Sequence, residues 1–281
     1  MSRWFPETVW LCLGTQQATG PAALSTPLAT DPAAPPGPVS PRRWEAAWAG
    51  LEQQLDAQRL PARARLGCVV AGEFVRYRLI PWSAEFAGSA ARAAFARHCF
   101  EETYGAVARE WSVRHSQPGY GRAALACAID TALVERVQAA AAARKLALVA
   151  LEPALMRAFN LARRELVHPM FWFVLHEGQG AGSALSLLLM AGGEPLHVRV
   201  LQSPLSDLGV ALDREWLQLG IDAPRCPVFV AGDAAGSGAA PSPQELASLR
   251  SAGWQVAAPA AGSARPPRPG VRPAPVERVA T

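Results

Sequence analysis

After residue 169 this chain runs again through an order of elements it has already used, and that repetition constrains the fold more than any motif. Residues 65–71 (RLGCVVA) and 73–80 (EFVRYRLI) read as two strands around a turn at Gly72. A helix is predicted over 84–104, with Ser83 as N-cap and Gly105 as stop. Within it Phe95 and Cys99, then Phe100 and Tyr104, stand four apart and pair on its surface. Strands follow at 109–115 and 122–129, then an alanine-rich helix at 130–144 that Asp130 or Thr131 caps. KLALVALEP supplies a strand, and Pro153 opens a helix through 165. Beyond 169, MFWFVLHEG and SALSLLLMAGG read as a hairpin and PLHVRVLQ as a third strand. The helix at 207–219 sets Leu208, Leu212, Trp216 and Leu219 along one stripe. CPVFVAG is a buried strand, PSPQELASLRSAG a short helix and WQVAAPA a last strand. Hairpin and strand, helix, strand, helix, strand is traversed twice, which describes a duplicated α/β domain. The duplication lies in element order, with no repeated sequence motif.

The boundaries follow from composition. Residues 1–63 hold an N-terminal strand around 8–13 and a Pro/Ala/Ser/Thr-rich loop at 18–41 that leads into a first lobe at 64–165. A second lobe spans 166–258. Residues 259–281 hold six prolines, four arginines and one glutamate, a net charge of +3, and are expected to be a disordered tail. With 281 residues, half of them hydrophobic, the chain is long enough to bury a sizeable core. Its five cysteines, at 12, 68, 99, 127 and 226, form no CxxC pair, which suits buried thiols in a reducing compartment rather than a metal framework. The apolar runs LVHPMFWFVL and ALSLLLMAGG are about half the length that crosses a bilayer, so a cytoplasmic protein is expected, one that can still serve a membrane machine from inside.

Chemistry is thin. Neither GxxxxGK[ST] nor GxGxxG occurs. The hairpin turn HEGQGAGS, 176–183, contains Glu177 and reads first as a plain turn, second as a phosphate cradle. VAGDAAGSG, 230–238, leads a buried strand into Gly232 and Asp233, again a structural turn before a ligand loop. These three residues, Glu177, Gly232 and Asp233, are the only cofactor-binding candidates. The histidines at 98, 115, 168, 176 and 197 do not converge, and His197, alternating with Val198 and Val200, is expected to face out of its sheet. His98 and Cys99 are adjacent in a helix and point apart, so Cys99 reads as a structural thiol. No catalytic residue, metal site or cofactor is assigned.

The strand FVRYRLIPW, 74–82, places Arg76 and Arg78 on one face. Net charge is only +4 and charged residues make up 18% of the chain, low for a nucleic-acid binder. Glu73, Glu85, Glu101 and Glu102 lie close in sequence, and Tyr77 points to the other face, so aromatics do not interleave with the cations. Nucleic acid is excluded as the expected partner. A docking face for a protein partner, built from Arg76 and Arg78 beside the acidic helix end at Glu101 and Glu102, stands level with plain pairing inside the lobe.

FVRYRLIPW, then RHCFEETYG, REWSVRH and ALACAIDTALVERVQAAAAARKLALVALEPALM, together resemble the cytoplasmic part of GspL-like and PilM-like proteins, actin-like assembly components of type II secretion and type IV pilus systems. The resemblance covers about residues 64–160. It rests on the strand ending at Ile80-Pro81, the helix with Glu101 or Glu102 near its end, CAID at 127–130, Leu133, Leu146 and Glu152-Pro153. It implies an actin-like fold, two RNase-H-like lobes around a cleft, in a degenerate form. It also implies a non-enzymatic adaptor that joins an inner-membrane pilus or secretion protein to the assembly ATPase. PilM-like members bind ATP in the cleft, whereas GspL-like members have largely lost that site. The missing aspartate–glycine signatures and the absence of a following membrane span place this chain nearer a soluble, split version. The competing reading is a nucleotide-binding enzyme of the actin-like or sugar-kinase superfold.

Overall fold

The computed structural model describes residues 8–14, 44–86, 88–178, 183–232 and 242–257. The loop at 18–41 and the tail at 259–281 lie outside the described residues, and so does Asp233.

Among the described residues, three sheets carry the fold. The first is wholly parallel, with β1 (Thr8–Leu13), β2 (Arg65–Val70) and β6 (Ala147–Pro153) in spatial order β1-β2-β6. Helix α1 (Glu45–Ala57) makes the crossover between β1 and β2. It buries Trp48, Leu51 and Leu55 against Leu11, Leu66 and Cys68. β2 is the central strand, and RLGCVV is buried everywhere except at Arg65, as a strand covered on both faces requires. Gly67 is needed there because any Cβ would enter the Trp10 ring of β1.

The second sheet has β11 (Val256–Ala257), β10 (Val228–Ala231), β7 (Met170–Glu177), β8 (Ala184–Ala191) and β9 (Glu194–Gln202) in that spatial order. β7, β8 and β9 are an antiparallel meander, while β10 and β11 add parallel to β7 through α5 (Leu208–Gln218) and α6 (Pro243–Ser251). The stripe Leu208, Leu212, Trp216 and Leu219 packs on this sheet. Ser242 caps α6 in a full capping box with Glu245.

Between β2 and the next parallel strand the chain inserts a separate unit. β3 (Val75–Ile80), β5 (Ala124–Asp130) and β4 (Trp111–His115) form an antiparallel sheet in the order β3-β5-β4, covered by α2 (Ser89–Tyr104). Asp130 ends β5 and caps α3 (Thr131–Ala143), accepting from Ala132 N–H at 2.9 Å and from the Trp44 indole at 2.9 Å. α4 (Ala154–Ala162) then carries the chain from β6 into β7.

The duplication is present, but its frame differs from the sequence reading. β1, α1, β2, α3 and β6 correspond to β7, α5, β10, α6 and β11, each set ordered as three parallel strands with crossover helices. The N-terminal strand, expected to lead into the first lobe, is thus an edge strand of that lobe's sheet. Strands 65–71 and 73–80 do not form a hairpin: β2 lies in the parallel sheet, and a 3₁₀ turn at Gly72–Phe74 throws β3 into the inserted sheet. Burial decides this, because β2 is flanked by β1 and β6 and has no free edge for β3. The helix expected from 84 starts at Ser89. Ser83 instead accepts from Glu85 N–H at 3.2 Å in a 3₁₀ turn at Ala84–Phe86, and Gly88 takes the N-cap position. Gly105 does stop the helix, at φ +74°.

Candidate functional site

The two lobes meet along a seam where α4, β3 and the ends of β2 and β7 converge, and apolar side chains fill most of it. Val69, Leu125 and Leu155 share one core cluster with Phe173, Leu175, Leu188 and Phe229 of the second lobe. Phe159 packs edge-on against Phe173 with ring centroids 5.5 Å apart. Trp10, facing the same cluster, carries the Arg157 guanidinium 3.3 Å over its ring. Burial pulls the Arg157 pKa down, against the Glu152 carboxylate that raises it.

A buried carboxylate also sits in this seam. Glu177, the last residue of β7, is 8% exposed, and both its oxygens accept from the backbone N–H of Gly72, at 3.0 and 3.3 Å. The hydrogen bond is charge-assisted and spans the two lobes. A Cβ at Gly72 would stand 2.5 Å from Ser186 Oγ and 2.8 Å from Glu177 Oε2, so only glycine lets β7 and β8 approach this closely. Ser186 Oγ and the Tyr77 hydroxyl are buried here without a hydrogen-bond partner. Burial drives the Tyr77 phenol well above its usual pKa, with Cys127 and Glu177 adding to the shift. The sequence offers Glu177 as a cofactor-binding candidate. The structure instead engages it with the opposite lobe's backbone. Gly232 follows β10 half-exposed, and Asp233 falls outside the described residues. Among the described residues no three His, Cys, Asp or Glu side chains gather as a metal site.

The inserted unit is fastened across the same boundary. β3 runs beside β9, with Tyr77, Leu79 and Val198 against the shared core. Arg122, in the loop before β5, pairs with Glu194 at the start of β9 at 2.8 Å.

On the basic strand face, Arg76 donates to the carbonyls of Glu73 (3.0 Å) and Val75 (3.3 Å). Arg78 donates to the Thr103 hydroxyl, which itself donates to Cys99 O at 3.0 Å. Glu101 pairs with Arg109 of the following 3₁₀ turn at 3.1 Å, and Glu102 is exposed. The structure therefore brings Arg78 to the end of α2, onto Thr103 rather than onto a glutamate. Thr103 carries a local signal, since a hydroxyl four residues after Cys99 can bond back to its carbonyl. Arg109 carries none.

A further polar cluster escaped sequence reading. Glu215 of α5 is fully buried, and His197 Nε2 donates to its Oε2 at 3.0 Å while Arg199 reaches Oε1 at 3.1 Å. His197 does not face solvent from its sheet: α5 covers it, and Trp172 lies edge-on with centroids 6.0 Å apart. Burial pulls its pKa down, against Glu215. The cluster ties α5 to β9.

No protein-family profile matches the chain, and no curated protein matches it. Solved structures do. A chain of a PilM–PilN type IV pilus biogenesis complex superposes with a TM-score of 0.53 at 18% identity, over 80% of this chain and 78% of that one. A Bacteroides thetaiotaomicron protein with an actin-like ATPase fold and unknown function gives 0.53 at 12% identity, over 89% and 90%. The cytoplasmic domain of EpsL, an inner-membrane component of the Vibrio cholerae type II secretion system, gives 0.45 at 11%, over 73% and 80%. The chain has the actin-like fold. Its lobes are the duplicated halves of that fold, and the boundary between them is closed over the described residues by the shared core and by Glu177 on Gly72. No helix among the described residues of this actin-like chain is long and apolar enough to cross a membrane.

Proposed function

We propose that this chain is a non-enzymatic cytoplasmic adaptor in type IV pilus or type II-like secretion assembly, held to an inner-membrane protein of that machine. The observation that carries the reading is the seam. Nucleotide chemistry needs carboxylates facing an open cleft, because Mg²⁺ is bound through oxygens that bridge it to phosphate. Here Glu177 is bonded to backbone, Glu152 pairs with Arg157, and apolar side chains fill most of the described seam. A two-lobed body whose described seam is filled by apolar side chains suits a scaffold that presents surfaces to partners. The fold shared with a chain of the PilM–PilN complex supports the class of machine.

Two measurements test this separately. Affinity capture from the native cell is expected to recover an inner-membrane protein of pilus or secretion assembly. Recovery of no envelope-assembly protein rejects the machine. Calorimetry with Mg-ATP is expected to give no heat of binding. Micromolar binding that Asp233→Ala or Glu177→Ala abolishes overturns the non-enzymatic part and restores the nucleotide-enzyme reading.

A further inference from the structure

On the inserted unit, the end of β3, the first turn of α2 and the loop between β4 and β5 line an open groove of about 400 Å³. That volume lies toward the small end of the roughly 300–1,000 Å³ typical of ligand clefts. Trp82, Arg92, His115, Pro118 and Tyr120 are among its lining residues. Nothing in the seam or in the adaptor reading uses them.

We infer that this groove is a docking site for an acidic, proline-containing segment of a partner protein. Three observations carry it. The first is the aromatic pair: Trp82 and Tyr120 meet edge-to-face, with centroids 4.6 Å apart and planes at 64°, and Tyr120 is 84% exposed. A large aromatic left open beside another offers amphipathic contact area that a partner can cover. The two rings are in contact, and the open face of Tyr120 is a surface on which a proline ring or an extended chain can pack. The crossed planes leave no parallel slot for a flat base. Aromatic-lined grooves of this kind recognise polyproline-type segments, whose preformed conformation loses little entropy on binding.

The second observation is charge. Arg92 has no carboxylate of any described residue within ion-pair distance, whereas Arg109, Arg122, Arg144, Arg199 and Arg225 each have one. The His115 Nδ1–H donates to Ser116 O at 2.8 Å, which leaves Nε2 as the ring atom available to the groove. A guanidinium beside an aromatic pair selects a carboxylate, which it can bind through two parallel hydrogen bonds.

The third is preorganisation. The loop that carries Pro118 and Tyr120 is pinned at both ends: Ser116 Oγ accepts from Leu125 N–H at 2.9 Å, and Arg122 pairs with Glu194. A groove whose walls are already held needs little ordering when it binds. The chain's own proline-rich tail, residues 259–281, carries net charge +3 and a single glutamate, so it does not match an acidic occupant, and the segment is assigned to another molecule. This inference is independent of which machine the chain serves.

The test is fluorescence anisotropy on the full chain with a labelled EPPPEPPPE peptide, beside QPPPQPPPQ and KPPPKPPPK. Saturable binding in the micromolar-to-millimolar range is expected for the acidic peptide, weaker by about fivefold or more for the glutamine version and lost for the lysine version. Arg92→Glu should weaken it by about tenfold or more and Tyr120→Ala by about fivefold, with melting temperatures unchanged. Arg92→Gln serves as the milder second variant should charge reversal disturb the first turn of α2. Absence of saturation up to about 2 mM, or equal affinity for the acidic and glutamine peptides, overturns the inference. So does unchanged binding in folded Arg92→Gln and Tyr120→Ala chains. Displacement of the peptide by AMP or inorganic phosphate beyond that caused by chloride at matched ionic strength also overturns it, in favour of a small anion.

Discussion

Glu177 Oε2 lies 3.0 Å from the backbone nitrogen of Gly72, a bond that joins residues 105 positions apart and couples the end of the second lobe's first strand to the exit of the first lobe's central strand. Two consequences follow from its burial. The Gly72 N–H has no water to turn to, so Glu177→Ala should lose about 1–3 kcal/mol of stability through an unsatisfied donor. Gly72→Ala forces a methyl group against Ser186 Oγ and the carboxylate, an overpacking that costs about 1–3 kcal/mol. Chemical denaturation of both variants checks these values. Adding Ser186→Ala to Gly72→Ala should recover part of the loss, because it removes one of the two clashing atoms.

Asp130 supports a second junction. It caps α3 through Ala132 N–H and receives the Trp44 indole N–H, so one carboxylate positions the inserted sheet, α3 and the start of α1. Asp130→Ala should cost about 1–2 kcal/mol, toward the upper end of N-cap replacements. Asp130→Asn, which keeps the cap and an acceptor, should cost less. Near-ultraviolet circular dichroism should change in the alanine variant, since Trp44 stacks edge-on with Trp48 at 6.5 Å.

These two sites differ in how far sequence reveals them. The Asp130 cap is local: a capping residue stands directly before an alanine-rich helical run, and the sequence suffices. The meander β7-β8-β9 and the stripe of α5 are likewise periodic over short spans. The pairing of β2 is not local. LGCVV-like apolar runs fit a central parallel strand and a hairpin arm equally well, and the choice was made by β1 and β6, more than fifty residues away on either side. Glu177 and Glu215 were missed as structural carboxylates for the same reason. Gly72 and Glu177 meet only after both lobes form, and Glu215 finds His197 and Arg199 only once α5 lies on β9. The basic face shows an intermediate case. The alternation of Arg76 and Arg78 was legible, yet their acceptors, a backbone carbonyl and a threonine hydroxyl, carry no charge pattern to read.

Burial also silences the thiols. It pushes Cys68 up to about 12, and Cys127 and Cys226 up to about 11, so each remains protonated and unreactive near neutrality. Brief alkylation with iodoacetamide at about pH 8 should leave these three unmodified in the native chain, whereas all five cysteines react in denaturant. Peptide mass spectrometry identifies the sites. Rapid native labelling of Cys68 would mean that α1 opens readily from the first sheet.

The cluster of His197, Arg199 and Glu215 makes stability depend on pH in one direction. His197 donates from Nε2 to a carboxylate that is fully buried, with Trp172 at its edge and α5 across it. Burial lowers its pKa in the folded chain, and Arg199 adds to the effect, while Glu215 opposes both. His176 is lowered too, by burial, against Glu245. For a group lowered on folding, the unfolded chain binds the proton more readily, so stability rises with pH across the window between the two values. That window lies below the ordinary histidine value of about 6.5. The stabilisation is fully present above it and is lost as pH falls toward the lowered folded values. Melting temperature should therefore drop on acidification from about pH 7 to about pH 5, and His197→Gln should flatten part of the slope, His176→Gln another part. Thermal melts of the two single variants and the double variant across this range measure both parts. A slope unchanged in the double variant would place the acid sensitivity on carboxylates instead, and in that event it should extend below about pH 4.5, where Glu245, lowered by its capping bonds to Ser242, gains its proton.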